Sequence, residues 1–493
     1  MPFPTNFTWG AASSSYQIEG GWNADGKGQS VWDAFSHAPG NVFMGHTGDE
    51  ACDHYNRAHA DVELMKQINL RAYRFSMSWP RVLPEGTGPV NTAGLGFYDR
   101  LVDSLLAAKI TPWVTLFHWD LPLALYHRGG WLNREIADWF ADYAAIVVDQ
   151  LSDRVKHWIT INEPQIFLGP SENEGLQTSN SRKSHAERIL AAHHALLAHG
   201  RGVQAIRAHA RQPVQVGWAP IGRIKVPVVD DQTGPKGAGP QRGALGTSHP
   251  AAASQQNIDA ARAATLGVLT KDFWNNTWFA DPVVLGRYPE DGLRLYHDDL
   301  AAEAGPAKRA VNSAADLTII RQPIDFYGIN VYDAERYHAG ANGKPEKVEF
   351  PAGHPQTAVR WFIEPEALYW GPKFLYERYK VPIVITENGM SSHDWVDLDG
   401  RVRDPHRIDY TRRYLLAIQR SIADGADISG YFHWSIMDNF EWQSGYKERF
   451  GLIHVDFQTQ ERTLKDSAHW YARVIASNGE ALDKPISRVL PQG

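Results

Sequence analysis

Cysteine and long apolar segments are what this sequence lacks most clearly. A single cysteine, Cys52, occurs in 493 residues, which excludes an internal disulfide framework and suits a reducing compartment. No apolar run reaches the roughly 18 residues that a membrane-spanning helix needs. The opening segment MPFPTNFTWG has no basic region followed by an apolar one, so we expect no signal peptide. These absences predict a cytoplasmic protein that does not associate with membranes.

Basic residues are also fewer than acidic ones. The chain has 49 Lys and Arg against 56 Asp and Glu, a net charge of −7, and it contains no dense basic run. Nucleic acid is therefore a poor candidate partner. The 21 histidines raise the question of a metal site, but His118, His193, His194 and His433 do not have a spacing that gathers ligands at strand ends together with acids. We expect neither a metal nor another cofactor.

Aromatic residues, in contrast, are abundant. The chain has 18 Trp, 19 Tyr and 19 Phe, which is 11% of its residues. This number of tryptophans exceeds what a core requires. It suits a site whose rings stack on flat ligand faces rich in C–H groups, and sugars are the obvious ligands of that shape.

Short apolar segments alternate with amphipathic helical ones along most of the chain. The helical segments cover about residues 55–68, 96–108, 135–151, 185–208, 257–273 and 408–424. The eight strand candidates cover about residues 8–12, 72–76, 111–117, 157–162, 214–218, 325–330, 383–387 and 428–434.

Eight strand and helix units in series predict an α/β protein, a (β/α)₈ TIM barrel with long βα loops around a deep pocket. We expect residues 1–493 to form one catalytic domain. The segment 230–254 is rich in Gly, Pro, Ala and Ser, and it is predicted to be a loop insertion because the alternating pattern resumes after it.

Polar or aromatic residues follow nearly every strand candidate. In a parallel barrel the carboxyl ends of all strands meet on one face, where the chemistry takes place. One such residue means little, but a full set is what a site assembled from all sides requires. The residues at these strand ends are Gln17, Arg74, His118, Asn162, Glu163, Trp218, Asn330, Tyr332, Glu387 and Trp434.

Two carboxylates in this set share one setting. Glu163 and Glu387 follow the fourth and seventh apolar strands, and a barrel of this size brings those ends to opposite sides of one pocket. A pair of carboxyl groups across a pocket is the minimum equipment for glycoside hydrolysis. Arg74 could keep one of them ionised, while a more apolar setting keeps the proton on the other. Asn162 is placed to hydrogen-bond a sugar hydroxyl.

A third carboxylate lies in the segment WSIMDNFEW, residues 434–442. Glu441 can accept hydrogen bonds from neighbouring sugar hydroxyls, while Trp434 and Trp442 pack on ring faces. Gln17 and His118 offer further polar contacts.

Several segments, in the same order along the chain, resemble the signature segments of glycoside hydrolase family 1, the retaining β-glucosidase family. The resemblance covers nearly the whole chain. Its segments are FTWGAASSSYQIEG, YRFSMSWPRVLP, LFHWDLP, WITINEP, FYGINVY, ITENG, YFHWSIMDNFEW and GYKERFGL.

The resemblance implies a role for each matching residue. Glu163 would be the general acid/base and Glu387 the nucleophile, about 5 Å apart as retaining enzymes require. Arg74 and Tyr332 would tune the nucleophile, and Trp361 would be a platform for the leaving group. The residues implied to bind substrate are Gln17, His118, Trp119, Asn162, Asn330, Tyr332, Trp361, Trp434, Glu441, Trp442 and Phe450.

The implied substrates are β-glucosides and cello-oligosaccharides, with galactosides and fucosides as further possibilities. One alternative is a 6-phospho-β-glycosidase, but a carboxylate at Glu441 would repel a 6-phosphate. The other alternative is a non-catalytic glycan-binding barrel, although such proteins typically lose a carboxylate that this chain keeps. Residues 169–180 depart from the family pattern, so aglycone preference is not carried over, and oligomeric state is not readable.

Overall fold

A computed structural model describes residues 3–168, 183–229, 253–302, 306–311 and 313–484. Two predictions fall largely or wholly outside these ranges: the insertion at 230–254, of which only the last two residues are described, and the loop departure at 169–180. No helix in the described ranges is long and apolar enough to cross a membrane.

Thirteen strands occur in the described part of the chain. They are β1 (Thr8–Ala12), β2 (Ala72–Ser76), β3 (Thr111–Phe117), β4 (His157–Asn162), β5 (Gln215–Ala219), β6 (Ile224–Pro227), β7 (Phe326–Asn330), β8 (Ala334–Ala339), β9 (Pro345–Val348), β10 (Ile383–Asn388), β11 (Ile428–Trp434), β12 (Ile453–Val455) and β13 (Arg462–Leu464).

Eight of these strands close into a parallel barrel in the order β1-β11-β10-β7-β5-β4-β3-β2. β1 closes the ring by pairing with both β2 and β11. The eight barrel strands are the eight predicted from the sequence, and each lies within one residue of its expected start. The (β/α)₈ barrel prediction is therefore confirmed.

Helices cover the outside of the barrel and fill the connections. They are α1 (Ser15–Ile18), α2 (Val31–His37), α3 (His54–Gln67), α4 (Trp79–Val82), α5 (Thr92–Ala107), α6 (Leu123–His127), α7 (Ile136–Leu151), α8 (Pro164–Leu168), α9 (His185–His209), α10 (Gln255–Leu266), α11 (Thr277–Leu285), α12 (Glu290–Leu295), α13 (His297–Ala302), α14 (Pro306–Val311), α15 (Ala314–Ile320), α16 (Ala367–Tyr379), α17 (Pro405–Ala423) and α18 (Asp466–Ala476).

The longest helix, α9, shows how local sequence sets an element. It begins with a capping box, in which Ser184 Oγ accepts a hydrogen bond from Glu187 N (3.2 Å) and Glu187 Oε2 accepts one from Ser184 N (2.7 Å). Its buried side chains pack against α7 and α15. This packing anchors the helix beside β4 and β5.

The sequence prediction was wrong about the end of α10. A helix over 257–273 was expected, but α10 ends at Leu266 and Gly267 adopts an extended backbone. Glycine is a poor helix residue because it loses the most backbone freedom on folding. Beyond it, Leu269 is exposed, and Phe273 has a φ of +59°, which is not a helical conformation.

Two small sheets extend the βα connections. The strands β6, β8 and β9 form one sheet, with β8 directly after the end of β7. The hairpin β12–β13 follows β11 and leads into α18. These sheets were not predicted, because strands such as AERYHA (β8) and PEKV (β9) lack the continuous apolar runs that mark the barrel strands.

An aromatic cluster fills the amino-terminal half of the barrel interior. The Trp113 ring lies 5.1 Å from both Phe326 and Phe432. Gly10 accommodates this cluster, because a Cβ at that position would lie 2.4 Å from Phe432 Cδ1. Aromatic side chains thus fill this end of the barrel, and the other end is left for polar groups.

Candidate active site

The two predicted carboxylates lie at strand ends where the pairing register shifts. The register shifts between Ile385 and Glu387 where β10 pairs with β7, and between Ile159 and Asn162 where β4 pairs with β5. Such irregularities re-aim side chains. Glu163, directly after β4, has a φ of +45°, a conformation that non-glycine residues rarely adopt and that clusters at functional sites.

The Glu387 carboxylate is held at both oxygens. Arg74 Nη1 donates to Oε1 (2.6 Å), and the Tyr332 hydroxyl donates to Oε2 (2.7 Å). The side chains of Arg74 and Glu387 are only 1% and 4% exposed. A buried carboxylate paired with an arginine and a further donor is stabilised in its ionised form.

Glu163 has a less charged environment. Its Oε1 accepts a hydrogen bond from Asn330 Nδ2 (2.8 Å). Burial, together with the charge of Glu387, raises the pKa of Glu163 well above its usual value. Burial also raises the pKa of Glu387, but Arg74, Tyr332 and Asn330 oppose that rise. The two carboxyl groups therefore differ in their tendency to keep a proton, as the sequence analysis anticipated from Arg74.

Amide side chains connect the two carboxyl groups. Asn162 Oδ1 accepts hydrogen bonds from Arg74 Nη2 (2.6 Å) and Asn330 Nδ2 (3.0 Å). The Asn162 amide in turn lies 3.1 Å from His118 Nε2 and donates to it. Burial and the charge of Arg74 lower the pKa of His118 well below its usual value, so the ring is a neutral hydrogen-bonding group.

A second polar group lies around Glu441. Gln17 Nε2 donates to Glu441 Oε2 (3.2 Å) and to Asn439 Oδ1 (3.0 Å), while Ser14 Oγ donates to Gln17 Oε1 (2.6 Å). Burial raises the pKa of Glu441 to about 8, and the charges of Glu387 and Glu448 add to this rise. Glu441 is thus close enough to Glu387 for the two charges to interact.

Aromatic rings surround this polar group. Trp442 lies 4.5 Å from both Trp119 and Trp32, measured between ring centroids, and Trp434 lies 5.8 Å from His118. Trp119 and Trp442 both have left-handed backbones, with φ of +78° and +53°. Strained positions of this kind persist where the surroundings fix a side chain firmly.

Three further aromatic residues form the opposite wall. The ring of Trp361 lies 5.0 Å from Tyr332 and 6.0 Å from Phe450. Trp361 is part-exposed whereas Phe450 is buried. The predicted catalytic and substrate-binding residues thus lie together at one end of the barrel, where Trp361 is part-exposed.

One expected pocket residue lies elsewhere. Trp218 was expected at the exit of the fifth strand, but that strand continues to Ala219. Side chains alternate along a strand, so Trp218 points outward, where its ring packs near His199 and Tyr327. It belongs to the interface between the barrel and the helices.

Several supporting residues were not predicted from the sequence. Asn439 holds Gln17, Thr386 Oγ1 donates to Asn330 Oδ1 (2.6 Å), and Thr115 Oγ1 accepts from Arg74 Nε (3.1 Å). Asn439 could have been found, because it lies two residues before Glu441 in the same segment. The two threonines carry no such signal, since threonine is common in strands.

The histidines considered for a metal site have other partners. His193 contacts Tyr288 and Asp316, and His194 contacts the carbonyl of Trp131. In the ranges that the structure describes, no group of three or more His, Cys, Asp or Glu side chains is arranged to hold a metal ion.

Comparison with known families gives one match that spans nearly the whole chain. A model described as "Glycosyl hydrolase family 1" matches residues 1–238 and 241–480. The matched range includes every residue of the site described above.

Curated proteins and solved structures of similar sequence agree with this match. "Beta-glucosidase A" of Thermotoga maritima is 42% identical over 97% of this chain and 98% of its own length. A "Bifunctional beta-D-glucosidase/beta-D-fucosidase" of Bifidobacterium breve is 38% identical over 97% of this chain and 99% of its own. The structure of the Thermotoga maritima β-glucosidase in complex with deoxynojirimycin superposes with a TM-score of 0.82, at 40% identity over 97% of this chain and 99% of that one.

Proposed function

The chain belongs to glycosyl hydrolase family 1, and from that premise we propose that it is a retaining β-glucosidase that uses Glu387 as nucleophile and Glu163 as general acid/base. The observation that carries the assignment of roles is the asymmetry of the pair. Arg74 and Tyr332 contact Glu387, whereas Glu163 has the neutral amide of Asn330.

In the first step a Glu387 oxygen attacks the anomeric carbon and the glycosidic C–O bond breaks. The proton of the Glu163 carboxyl moves to the departing oxygen, which leaves as an alcohol. A covalent glycosyl ester on Glu387 results. The Arg74 and Tyr332 contacts orient the attacking carboxylate and keep it ionised until the bond forms.

In the second step Glu163 acts as a base. The charge of Glu387 raises the pKa of Glu163 in the free enzyme, and ester formation removes that charge. The pKa of Glu163 therefore falls when a base is needed. Glu163 takes a proton from water, the water oxygen bonds to the anomeric carbon, and the ester bond to Glu387 breaks, which releases a sugar of retained β configuration.

Substrate recognition is assigned to the two walls of the pocket. Gln17, His118 and Glu441 would bind hydroxyls of the terminal sugar, and Trp434 and Trp442 would pack on its faces. Trp361, on the solvent-facing side near Tyr332 and Phe450, would contact the leaving group. β-Glucosides and cello-oligosaccharides are the proposed substrates, and the cytoplasmic location expected from the sequence stays a prediction.

A phosphorylated sugar is disfavoured by the surroundings of Glu441. Lys447, the nearest cation along this segment, lies 3.3 Å from Glu448 Oε1 and stands over the Phe43 ring. It is therefore engaged with other groups. A 6-phosphate beside Glu441 would therefore have little positive charge to balance it, and it would be repelled by Glu441 whenever that carboxyl is ionised.

Two measurements test the proposed function. Rates on 4-nitrophenyl β-glucoside and on its 6-phosphate should favour the unphosphorylated substrate. NMR during early turnover should show the β anomer of glucose appearing first. A higher rate on the 6-phosphate would show that the enzyme is a phospho-glycosidase. Release of the α anomer first would exclude the retaining mechanism.

β-D-Fucosides are a second proposed substrate class, because the Bifidobacterium breve relative is named for both activities. A panel of aryl β-glucoside, β-galactoside and β-fucoside would measure this breadth through kcat/KM. Hydrolysis of the glucoside alone would exclude the fucosidase activity.

A further inference from the structure

Six charged side chains form a network behind the pocket. Lys465 Nζ lies 2.6 Å from Asp394 Oδ2 and 2.7 Å from Asp438 Oδ1, and Arg449 Nη1 lies 2.8 Å from Asp438 Oδ2. Arg407 completes the network through Asp394 (2.7 Å) and Asp404 (2.5 Å). We call these six residues the charge network.

The charge network is almost completely buried. Its side chains are at most 2% exposed except that of Arg449, which is 20% exposed. Three carboxylates face three cations, so the charges balance. Burial of charges without good pairing is strongly unfavourable, and even well-paired buried ions are weak evidence for stability. These six buried charges are therefore candidates for a role in fixing the conformation of the segments that they join.

The network joins two segments that carry pocket residues. Asp438 and Arg449 lie within residues 434–450, which we call the recognition loop because it holds Glu441 and the aromatic residues on either side of it. Asp394 lies shortly after β10, the strand that carries Glu387. The same lysine, Lys465, lies directly before α18 and pairs with both segments.

The network makes two hydrogen bonds to the backbone at the end of the recognition loop. Asp438 Oδ1 accepts a hydrogen bond from Gly451 N (2.9 Å), so one carboxylate ties the middle of the loop to the residue after it. Gly451 permits this approach, since a Cβ there would lie 2.0 Å from Asp438 N. Arg407 Nη2 also donates to the carbonyl of Arg449 (2.8 Å).

The residues next to Asp438 and Arg449 in the sequence contact groups of the proposed sugar pocket. Asn439 follows Asp438, and its Oδ1 accepts a hydrogen bond from Gln17 Nε2, which also donates to Glu441. At the other end, Arg449 precedes Phe450, which lies beside Trp361. A displacement of Asp438 or Arg449 would therefore move groups on both walls of the pocket.

We propose that Arg449 and Lys465 are positioning residues for sugar recognition. Lys465 joins Asp438 of the recognition loop to Asp394 in the segment that follows Glu387, and Arg449 holds Asp438 against the carbonyl of Val455. They do not touch the sugar themselves. This inference depends on the proposed function, namely that the pocket binds the terminal sugar of a β-glucoside. Its consequence is that weakening the network loosens sugar binding more than it slows the chemical step.

The test uses Arg449, the most exposed member, so that the variants fold. Arg449→Met removes the charge, and Arg449→Lys retains it. The matched control is Arg378→Met, because Arg378 is 30% exposed and pairs with an aspartate, Asp281, that is 2% exposed, but it lies on α16, in the outer helices. Each variant is compared with the unaltered chain by melting temperature, by kcat and KM on 4-nitrophenyl β-glucoside, and by calorimetric binding of deoxynojirimycin.

For Arg449→Met we expect KM and the Kd for deoxynojirimycin to rise about tenfold, with kcat changed less than about threefold. Arg449→Lys should recover most of this loss. Arg378→Met should lower the melting temperature by a similar amount and leave KM and Kd within about twofold of the unaltered chain.

An unchanged KM and Kd in Arg449→Met, with a melting temperature lowered as in Arg378→Met, would overturn the proposal and leave the network a structural role only. If Arg449→Met does not fold, Arg449→Gln decides: a KM rise supports positioning, and an unchanged KM contradicts it. An unaltered chain that neither hydrolyses the aryl glucoside nor binds deoxynojirimycin would instead contradict the proposed function, whatever the variants do.

Discussion

The two halves of the barrel interior are built by the same strands, but one is lined by aromatic side chains and the other by charged and amide side chains. Toward the amino ends Trp113, Phe326 and Phe432 pack against one another. A few residues further on, Arg74 and Asn330 stand at the centre of a buried hydrogen-bond network. β7 contributes Phe326 to one half and Asn330 to the other.

This difference shows how the fold prepares the chemistry. The apolar half excludes water and lowers the local dielectric, so each charge or hydrogen bond in the polar half has a larger effect on its neighbours. Substitutions in the polar half should therefore change rates and pH profiles. Substitutions in the apolar half should change stability and leave the chemistry intact.

The largest effect is expected from Glu387→Gln. Loss of the nucleophile should lower kcat on 4-nitrophenyl β-glucoside by about 10⁴-fold or more, because the amide cannot form the glycosyl ester. The melting temperature should stay close to that of the unaltered chain. Near-normal turnover by the variant would show that Glu387 is not the nucleophile.

Glu163→Gln should have the next largest effect, and its size should depend on the substrate. Proton transfer contributes about 10²–10⁴-fold, so the loss should be greatest for glycosides with poor leaving groups and small for activated aryl glycosides. Azide should restore part of the rate, since it attacks the glycosyl ester without a general base. Equal losses on all leaving groups, with no azide effect, would contradict the role of Glu163.

Tyr332→Phe should produce a smaller change with a defined sign. The Tyr332 hydroxyl donates to Glu387 and lowers the pKa of that carboxyl, so its removal raises the pKa. Less Glu387 is then ionised at low pH, and the acidic limb of the kcat/KM profile should move upward by about one pH unit. An unmoved acidic limb would show that Tyr332 does not tune the nucleophile.

Phe326→Leu should have the smallest effect on catalysis. It lies in the apolar half, beside Trp113, and the smaller side chain should lower the free energy of unfolding by about 1–3 kcal/mol. The kcat/KM on the aryl glucoside should remain within about twofold of the unaltered value. A large loss of kcat/KM with an unchanged melting temperature would mean that the two halves are not separable.

Much of the fold could be predicted because the strands of a barrel are short apolar runs with clear ends. β1, β2, β3 and β11 have the predicted bounds. The end of α10 and the direction of Trp218 were wrong, because each depends on a local shift of one or a few residues that periodicity cannot resolve.

The small sheets β6–β8–β9 and β12–β13 were missed for a related reason. Their strands are stabilised by partners that lie in separate βα connections, and no single segment signals the pairing. The same is true of the charge network, whose six members are spread over residues 394–465 with no shared pattern that signals their pairing.

The sequence by itself determined the order of the strands, the presence of two acids at strand ends and the residue types of a sugar pocket, because these are local patterns of polarity. Only the tertiary structure decided how Arg74 and Tyr332 hold the two oxygens of Glu387, how Glu163 turns at a positive φ, and how Lys465 joins the recognition loop to the segment after Glu387. These features depend on distances between residues far apart in the chain, and such distances are set only when the barrel closes.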